Sequence, residues 1–102
     1  MTNHFNELTP AEAERLAMLA EECSEVIGII GKILRHGYDS HHPDTPAITN
    51  RDMLNDELAD VNAVVKAMKR AELKDYSCED TFSGRWKKKL RYAHHQDDNL
   101  GL

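Results

Sequence analysis

Acidic residues occur in two groups whose types and spacing suit the binding of a divalent cation. Glu21, Glu22 and Glu25 crowd into about one helical turn, and Glu57 and Asp60 repeat the three-residue step further along the chain. Carboxylates at positions i and i+3 share one side of an α-helix, where like charges destabilise it slightly. Carboxylate oxygens are the ligands that Mg²⁺ prefers, with Mn²⁺ as a possible substitute, whereas Zn²⁺ favours nitrogen and sulfur. The two groups therefore predict a hard-cation site between two helices.

The hydrophobic pattern predicts that these acids face packed surfaces. On a helical wheel Glu57 falls inside the apolar stripe of its segment, and Asp60 falls on the margin of that stripe. Glu22 lies at the edge of the first apolar stripe with Glu25 beside it, whereas Glu21 points outward. A buried carboxylate without a partner takes up a proton or binds a cation. The alternative for a single acidic group is a solvated helix face.

Helical segments position these acids, and no segment has a convincing strand pattern. The first helix is predicted at roughly residues 10–35, because Thr9 can cap its start and Gly37 can end it. Its apolar stripe recurs at helical period and centres near Cys23 and Ile30. This stripe is the expected contact surface toward the other helices.

Two further helices are predicted at about residues 50–71 and 79–95. The connection at residues 37–48 is long for so small a domain, and such loops are typically functional or mobile. We interpret His41 and His42 in this loop as solvated, because adjacent histidines rarely bind one metal ion well.

The length of the first helix predicts self-association. A helix of about 25 residues is about 37 Å long, whereas a compact chain of this size has a radius of gyration of about 13 Å. We therefore expect an all-α fold, a helical bundle of long antiparallel helices completed by oligomerisation as a homodimer or homotetramer. Residues 96–102 are expected to form a frayed tail.

Composition narrows the class of protein. The 102 residues form one domain, 40% of them apolar and 30% charged. No apolar run is long enough to cross a membrane, and the N-terminus has no signal-peptide pattern, so a cytoplasmic location is expected. Residues 85–91 hold five of the 13 Lys and Arg, and the rest of the chain is strongly acidic. That balance makes nucleic acid an improbable partner and suits a protein that collects cations.

The chain contains two paired acidic motifs, Glu21-Glu22-x-x-Glu25 and Glu57-x-x-Asp60. They resemble the signature of the MazG-type all-α nucleoside triphosphate pyrophosphohydrolases, in particular their short single-domain phage and bacterial members. The likeness runs from Leu8 to His95 and includes residues 31–37, which read Gly-Lys-Ile-Leu-Arg-His-Gly, and the basic third segment. The interval of 31 residues between the half-motifs is on the long side for this family.

The resemblance implies an enzyme that cleaves a ribo- or deoxyribonucleoside triphosphate between its α and β phosphates, releasing a monophosphate and pyrophosphate. It implies that Glu21 orients or deprotonates the attacking water. The resemblance also implies four Mg²⁺ ligands: Glu22, Glu25, Glu57 and Asp60. Mg²⁺ lowers the pKa of bound water and lets an anionic substrate approach acidic protein.

Basic residues supply candidates for binding the phosphates. Lys32 lies seven residues after Glu25, on the same helix face, and is either a phosphate ligand or an exposed lysine. Arg35 either contacts substrate or serves the helix dipole. On the third helix the resemblance favours three residues, for each of which a solvated basic face is the alternative: Lys87, Lys88 and Tyr92.

Two other classes of protein compete with the hydrolase. A carboxylate-bridged di-iron bundle needs Glu-x-x-His pairs, but here Glu25 and Asp60 occupy the i+3 positions. A non-catalytic helical dimer that binds a partner or nucleic acid through its basic third helix explains residues 85–91. That second alternative leaves the placement of Glu57 on an apolar face unexplained.

Overall fold

The regular structure of this protein is α-helical, as the sequence predicts. A computed structural model describes residues 6–73 and 82–96. It contains α1 at Pro10–His36, α2 at Asn50–Ala71 and α3 at Phe82–Leu90, and no strand in those residues. None of the described helices has the length and apolar character needed to cross a membrane.

Capping side chains fix where α1 and α2 begin. The Thr9 hydroxyl accepts from the backbone amide of Glu12, whose carboxylate accepts from the backbone amide of Thr9 at 2.8 Å. Thr49 and Asp52 form the same reciprocal pair at the start of α2. Each box satisfies amide groups that a helix end otherwise leaves unpaired. Gly37 ends α1 with φ +87°, a conformation that few residues other than glycine adopt.

The loop between α1 and α2 is fastened to the first turn of α2. The backbone amides of Asn50 and Arg51 donate to the carbonyls of Ser40 and Tyr38 at 2.9 and 2.8 Å. The buried Asn50 side chain also donates from Nδ2 to the carbonyl of Gly37. These bonds hold the end of α1 beside the beginning of α2.

The opposite end of the helix pair is held by an ion pair. Arg15, in the second turn of α1, donates from Nε to both carboxylate oxygens of Glu72, directly after α2, at 2.9 and 3.1 Å. Both side chains are largely covered, at 27% and 19% exposed. Because contacts join the helices at both ends, their register along one another is set.

The helix pair encloses only a small core. Among the described residues the buried apolar side chains are Ile29 of α1 and Val64 and Met68 of α2. The predicted centre of the packed stripe was wrong, because Cys23 is exposed and Ile30 is 42% exposed. A helix with apolar residues on most of its circumference has more than one face that can pack against a neighbouring helix. In α1, the face that contains Ile29 packs against α2.

A second apolar stripe of α1 is left open. It consists of residues three, four or seven apart on the side away from α2: Leu16, Cys23, Ile27, Ile30 and Leu34. Ile27 is 69% exposed and Leu34 is 82% exposed. An apolar face of this extent is therefore left open to solvent in the single chain.

The third helix lies apart from the first two. Within the described residues no Cα atom of α3 comes within 8 Å of a Cα atom of α1 or α2. It ends at Leu90 rather than at residue 95, because the amides of Tyr92 and Ala93 turn back to the carbonyls three residues earlier. Tyr92 therefore does not continue the helical face of Lys88. Residues 79–81 of the predicted helix and 97–102 of the predicted tail lie outside the described residues.

Replacing Thr9 by alanine is expected to lower the free energy of unfolding by about 1 kcal/mol, because the first amides of α1 lose their acceptor. Chemical denaturation measures this loss. Thr9→Ser keeps the hydroxyl and should retain most of the stability. A Thr9→Ser variant as unstable as Thr9→Ala would contradict the role of the cap.

Candidate metal site

Three carboxylates from two helices converge in the middle of the helix pair. One oxygen each from Glu22 and Glu25 of α1 and from Glu57 of α2 lie within 4.8 Å of one another. We call these three residues the carboxylate cluster. None of them takes part in an ion pair among the described residues. The helix pair thus concentrates negative charge where an oxygen-ligated cation can neutralise it.

The packed faces of the two helices hold the cluster in place. Glu57 lies on the side of α2 that carries the buried Val64 and Met68, and Glu22 lies one helical turn before the half-buried Val26 of α1. One oxygen of Glu22 and one of Glu57 are shielded from solvent without a hydrogen-bond partner. Shielded polar atoms without partners are rare and indicate a missing proton, ion or water.

Crowding changes the acidity of the cluster. The pKa of Glu57 is raised to about 7, first because its carboxyl shares a hydrogen bond with Glu25 and next because it is partly desolvated. The negative charges of Glu25, Asp60 and Glu22 add to the shift. The pKa of Glu22 is raised as well, chiefly by desolvation and then by repulsion from Glu25. Near neutral pH the cluster therefore retains a proton on one of its carboxyl groups unless a metal cation displaces it.

Two further predicted acids lie beside the cluster. Asp60 is exposed, and its charge acts on both Glu22 and Glu57. Glu21 is exposed on the outer side of α1, and its charge is a minor influence on Glu22. The structure thus brings together three of the four predicted ligands and leaves Asp60 and Glu21 at the rim.

The predicted substrate residues divide between two places. Lys32 and Arg35 line a cleft at the loop end of the helix pair. Lys87 and Lys88 lie on α3, which has no Cα atom within 8 Å of one in α1 or α2, and Tyr92 lies in the turn after α3. No ion pair among the described residues joins Lys32 or Arg35 to α3.

The cleft also contains residues that sequence reasoning did not assign to a site. His41 and His42 are exposed, in keeping with their interpretation as solvated, and they line the cleft together with Lys32 and Arg35. Asn50 also lines it and fastens the loop beside it. The length of the loop was the one signal in the sequence, because long loops in small domains tend to be functional.

The donor set of the cluster fits a hard divalent cation. Carboxylate oxygens without nitrogen or sulfur ligands favour Mg²⁺ or Mn²⁺. The three oxygens lie within 4.8 Å of one another, close to the separation of at most about 4.2 Å that oxygens bound to one Mg²⁺ have. Comparison with known protein families, with curated proteins and with solved structures finds no match to this chain.

In the absence of divalent cations, the stability contribution of Glu57 is expected to fall as the pH rises from 4.5 to about 7. Its carboxyl titrates near 4.5 in the unfolded chain and near 7 in the folded chain, so folding favours the protonated form and loses that advantage across the interval. Thermal unfolding in EDTA measures the fall, and Mg²⁺ should restore stability most at the upper end.

Glu57→Gln provides the reference, because it cannot titrate. The fall in melting temperature should be steeper in the wild-type protein than in Glu57→Gln, and Mg²⁺ should stabilise the variant less. Identical pH dependence in the two proteins would show that Glu57 does not experience the repulsion that the cluster imposes.

Proposed function

We propose that this protein is a Mg²⁺-dependent nucleoside triphosphate pyrophosphohydrolase, which converts a ribo- or deoxyribonucleoside triphosphate to the monophosphate and pyrophosphate. The observation that carries the proposal is the convergence of Glu22, Glu25 and Glu57 from two helices, with shielded oxygens that have no partner. A structural role would favour a paired cation or apolar residues at these positions.

The reaction type comes from the resemblance of the motifs to MazG-type enzymes. The geometry supports this assignment, because the acids that resemble metal ligands are those that meet or border the cluster. Di-iron chemistry has less support, since no histidine belongs to the cluster among the described residues.

Glu22, Glu25, Glu57 and Asp60 would hold the metal. A bound Mg²⁺ would neutralise the acids, bind phosphate oxygens and make a bound water more acidic. Glu21 at the rim would accept the proton of the attacking water. The water oxygen forms a bond to the α phosphorus, the bond from this phosphorus to the oxygen bridging to the β phosphorus breaks, and pyrophosphate leaves. Lys32 and Arg35, or Lys87, Lys88 and Tyr92, would bind the phosphates.

The active protein is proposed to be a homodimer or homotetramer in which antiparallel helices complete a bundle. The open stripe of α1 and the small core support association, since a contiguous exposed apolar face marks a protein–protein contact. A cytoplasmic location remains part of the proposal.

Ile27→Glu is expected to reduce the oligomer to a monomer of 11.6 kDa, because a charge enters the apolar stripe that a second copy would cover. Light scattering after size exclusion measures the mass. Ala17→Glu, an exposed position on another face of α1, should leave the mass unchanged. A monomeric wild-type protein would refute the proposed assembly.

Glu57→Gln is expected to lower pyrophosphate release from nucleoside triphosphates on the order of a hundredfold or more, because it removes a ligand charge from the cluster. Asp56→Asn removes the adjacent exposed carboxylate and should keep near wild-type activity. EDTA should abolish turnover in all three proteins. Full activity of Glu57→Gln with unchanged helix content would refute the metal-site assignment.

A non-catalytic protein that binds a partner or nucleic acid through α3 is the alternative function. The observation in its favour is that α3, with Lys87, Lys88 and Lys89 in its last turn, lies apart from the helix pair. Salt-sensitive binding of DNA without Mg²⁺-dependent pyrophosphate release would favour this alternative.

A further inference from the structure

A cleft of about 750 Å³ opens at the loop end of the helix pair, outside the carboxylate cluster. Its walls come from the last turns of α1, the loop and the first turn of α2. Lys32 and Arg35 contribute two fixed positive charges, and Asp44 is the one acid among the lining residues. The cleft is thus a cationic region in a chain whose formal net charge is −5.

Within residues 6–73 and 82–96, neither Lys32 nor Arg35 has a carboxylate within 4 Å. The Asp44 side chain is 87% exposed and its carboxylate lies 3.6 Å from Nδ1 of His42, so it pairs with neither cation. Lysine and arginine without counter-charges are available to an anionic ligand.

The loop adds a side-chain hydrogen-bond donor to these charges. The backbone amide of Asp44 donates to Nδ1 of His42 at 3.1 Å, which leaves Nε2 as the nitrogen of that ring that can donate to a ligand. Two fixed charges and an N–H donor match the oxygens of a phosphate group.

One strip of α1 connects the cleft with the carboxylate cluster. Glu25, Gly28 and Lys32 follow one another at intervals of three and four residues, so they share a helix face. Lys32 lies about 10 Å further along the helix axis than Glu25. A Cβ atom placed on Gly28 would meet nothing within 4 Å, so packing within this chain does not require the glycine. Bare backbone at Gly28 leaves room for a ligand that lies along the helix.

We propose that the cleft binds the terminal phosphates of the nucleoside triphosphate, through Lys32, Arg35 and His42, while the reacting α phosphate lies at the carboxylate cluster. The identity of this ligand rests on the proposed function. The recognised chemistry is an oligophosphate group, and the pyrophosphate formed by the reaction would leave through the cleft. The basic residues of α3 are not required for this binding.

Pyrophosphate titrated into the protein in EDTA tests the cleft without metal or turnover. Backbone amide resonances of residues 32–45 and 50–53 should shift. Lys32→Gln should weaken the affinity by about tenfold, whereas Lys66→Gln, an exposed lysine of α2, should leave it unchanged. Equal weakening in both variants, or shifts confined to α3, would overturn the assignment even if hydrolysis is confirmed.

A second titration tests whether the phosphate that binds in the cleft belongs to the bound nucleotide or is an independent ligand. In Mg²⁺ with a non-hydrolysable α,β-methylene nucleoside triphosphate bound, pyrophosphate should compete with the nucleotide. Simultaneous binding of both would overturn the placement of the substrate tail in the cleft.

Gly28→Ala tests whether the phosphates lie along the strip of α1 between the carboxylate cluster and the cleft. The added methyl group has room in the ligand-free chain and favours the helix, so the melting temperature should rise. The affinity for the non-hydrolysable nucleotide should fall, because the methyl group occupies the path of the phosphates. Unchanged nucleotide affinity in this more stable variant would overturn the proposed path.

Discussion

Electrostatic repulsion between carboxylates is the interaction on which this structure depends. Packing α1 against α2 brings Glu22, Glu25 and Glu57 within 4.8 Å of one another, although three like charges at that distance oppose the packing. A proton or a metal cation makes the contact tolerable. The pKa of Glu57 is raised to about 7 first by its hydrogen bond with Glu25, then by desolvation and by the charges of Glu25, Asp60 and Glu22. The Arg15–Glu72 pair and the Asn50 bonds hold the helices in the register that forces the acids together.

Three faces of α1 differ in their residues and in what they contact. One face packs Ile29 against α2, and a second carries the exposed apolar stripe that includes Ile27 and Leu34. The third carries Glu25, Gly28 and Lys32, so that an acidic stretch passes into a basic one across bare backbone.

The sequence predicts what depends on local chemistry. Capping by Thr9 and the stop at Gly37 follow from residue type, and the phase of Glu57 follows from the apolar pattern of α2. The packed face of α1 was misjudged, because apolar residues occupy several phases of that helix and the choice depends on α2. The exposure of His41 and His42 was expected, but their place in the cleft was not, because it depends on how Asn50 fastens the loop.

The hydrogen bonds between the loop and α2 also indicate the order in which the contacts of the helix pair form during folding. The bonds from Asn50 to Ser40 and Gly37 join residues close in sequence, whereas Arg15 and Glu72 are 57 positions apart. Closing a short loop costs less chain entropy than closing a long one, so we expect the helices to associate from the loop end. Contact between the acids then forms after the first association. Their repulsion should therefore act mainly on the unfolding rate, and hence on the lifetime of the native state.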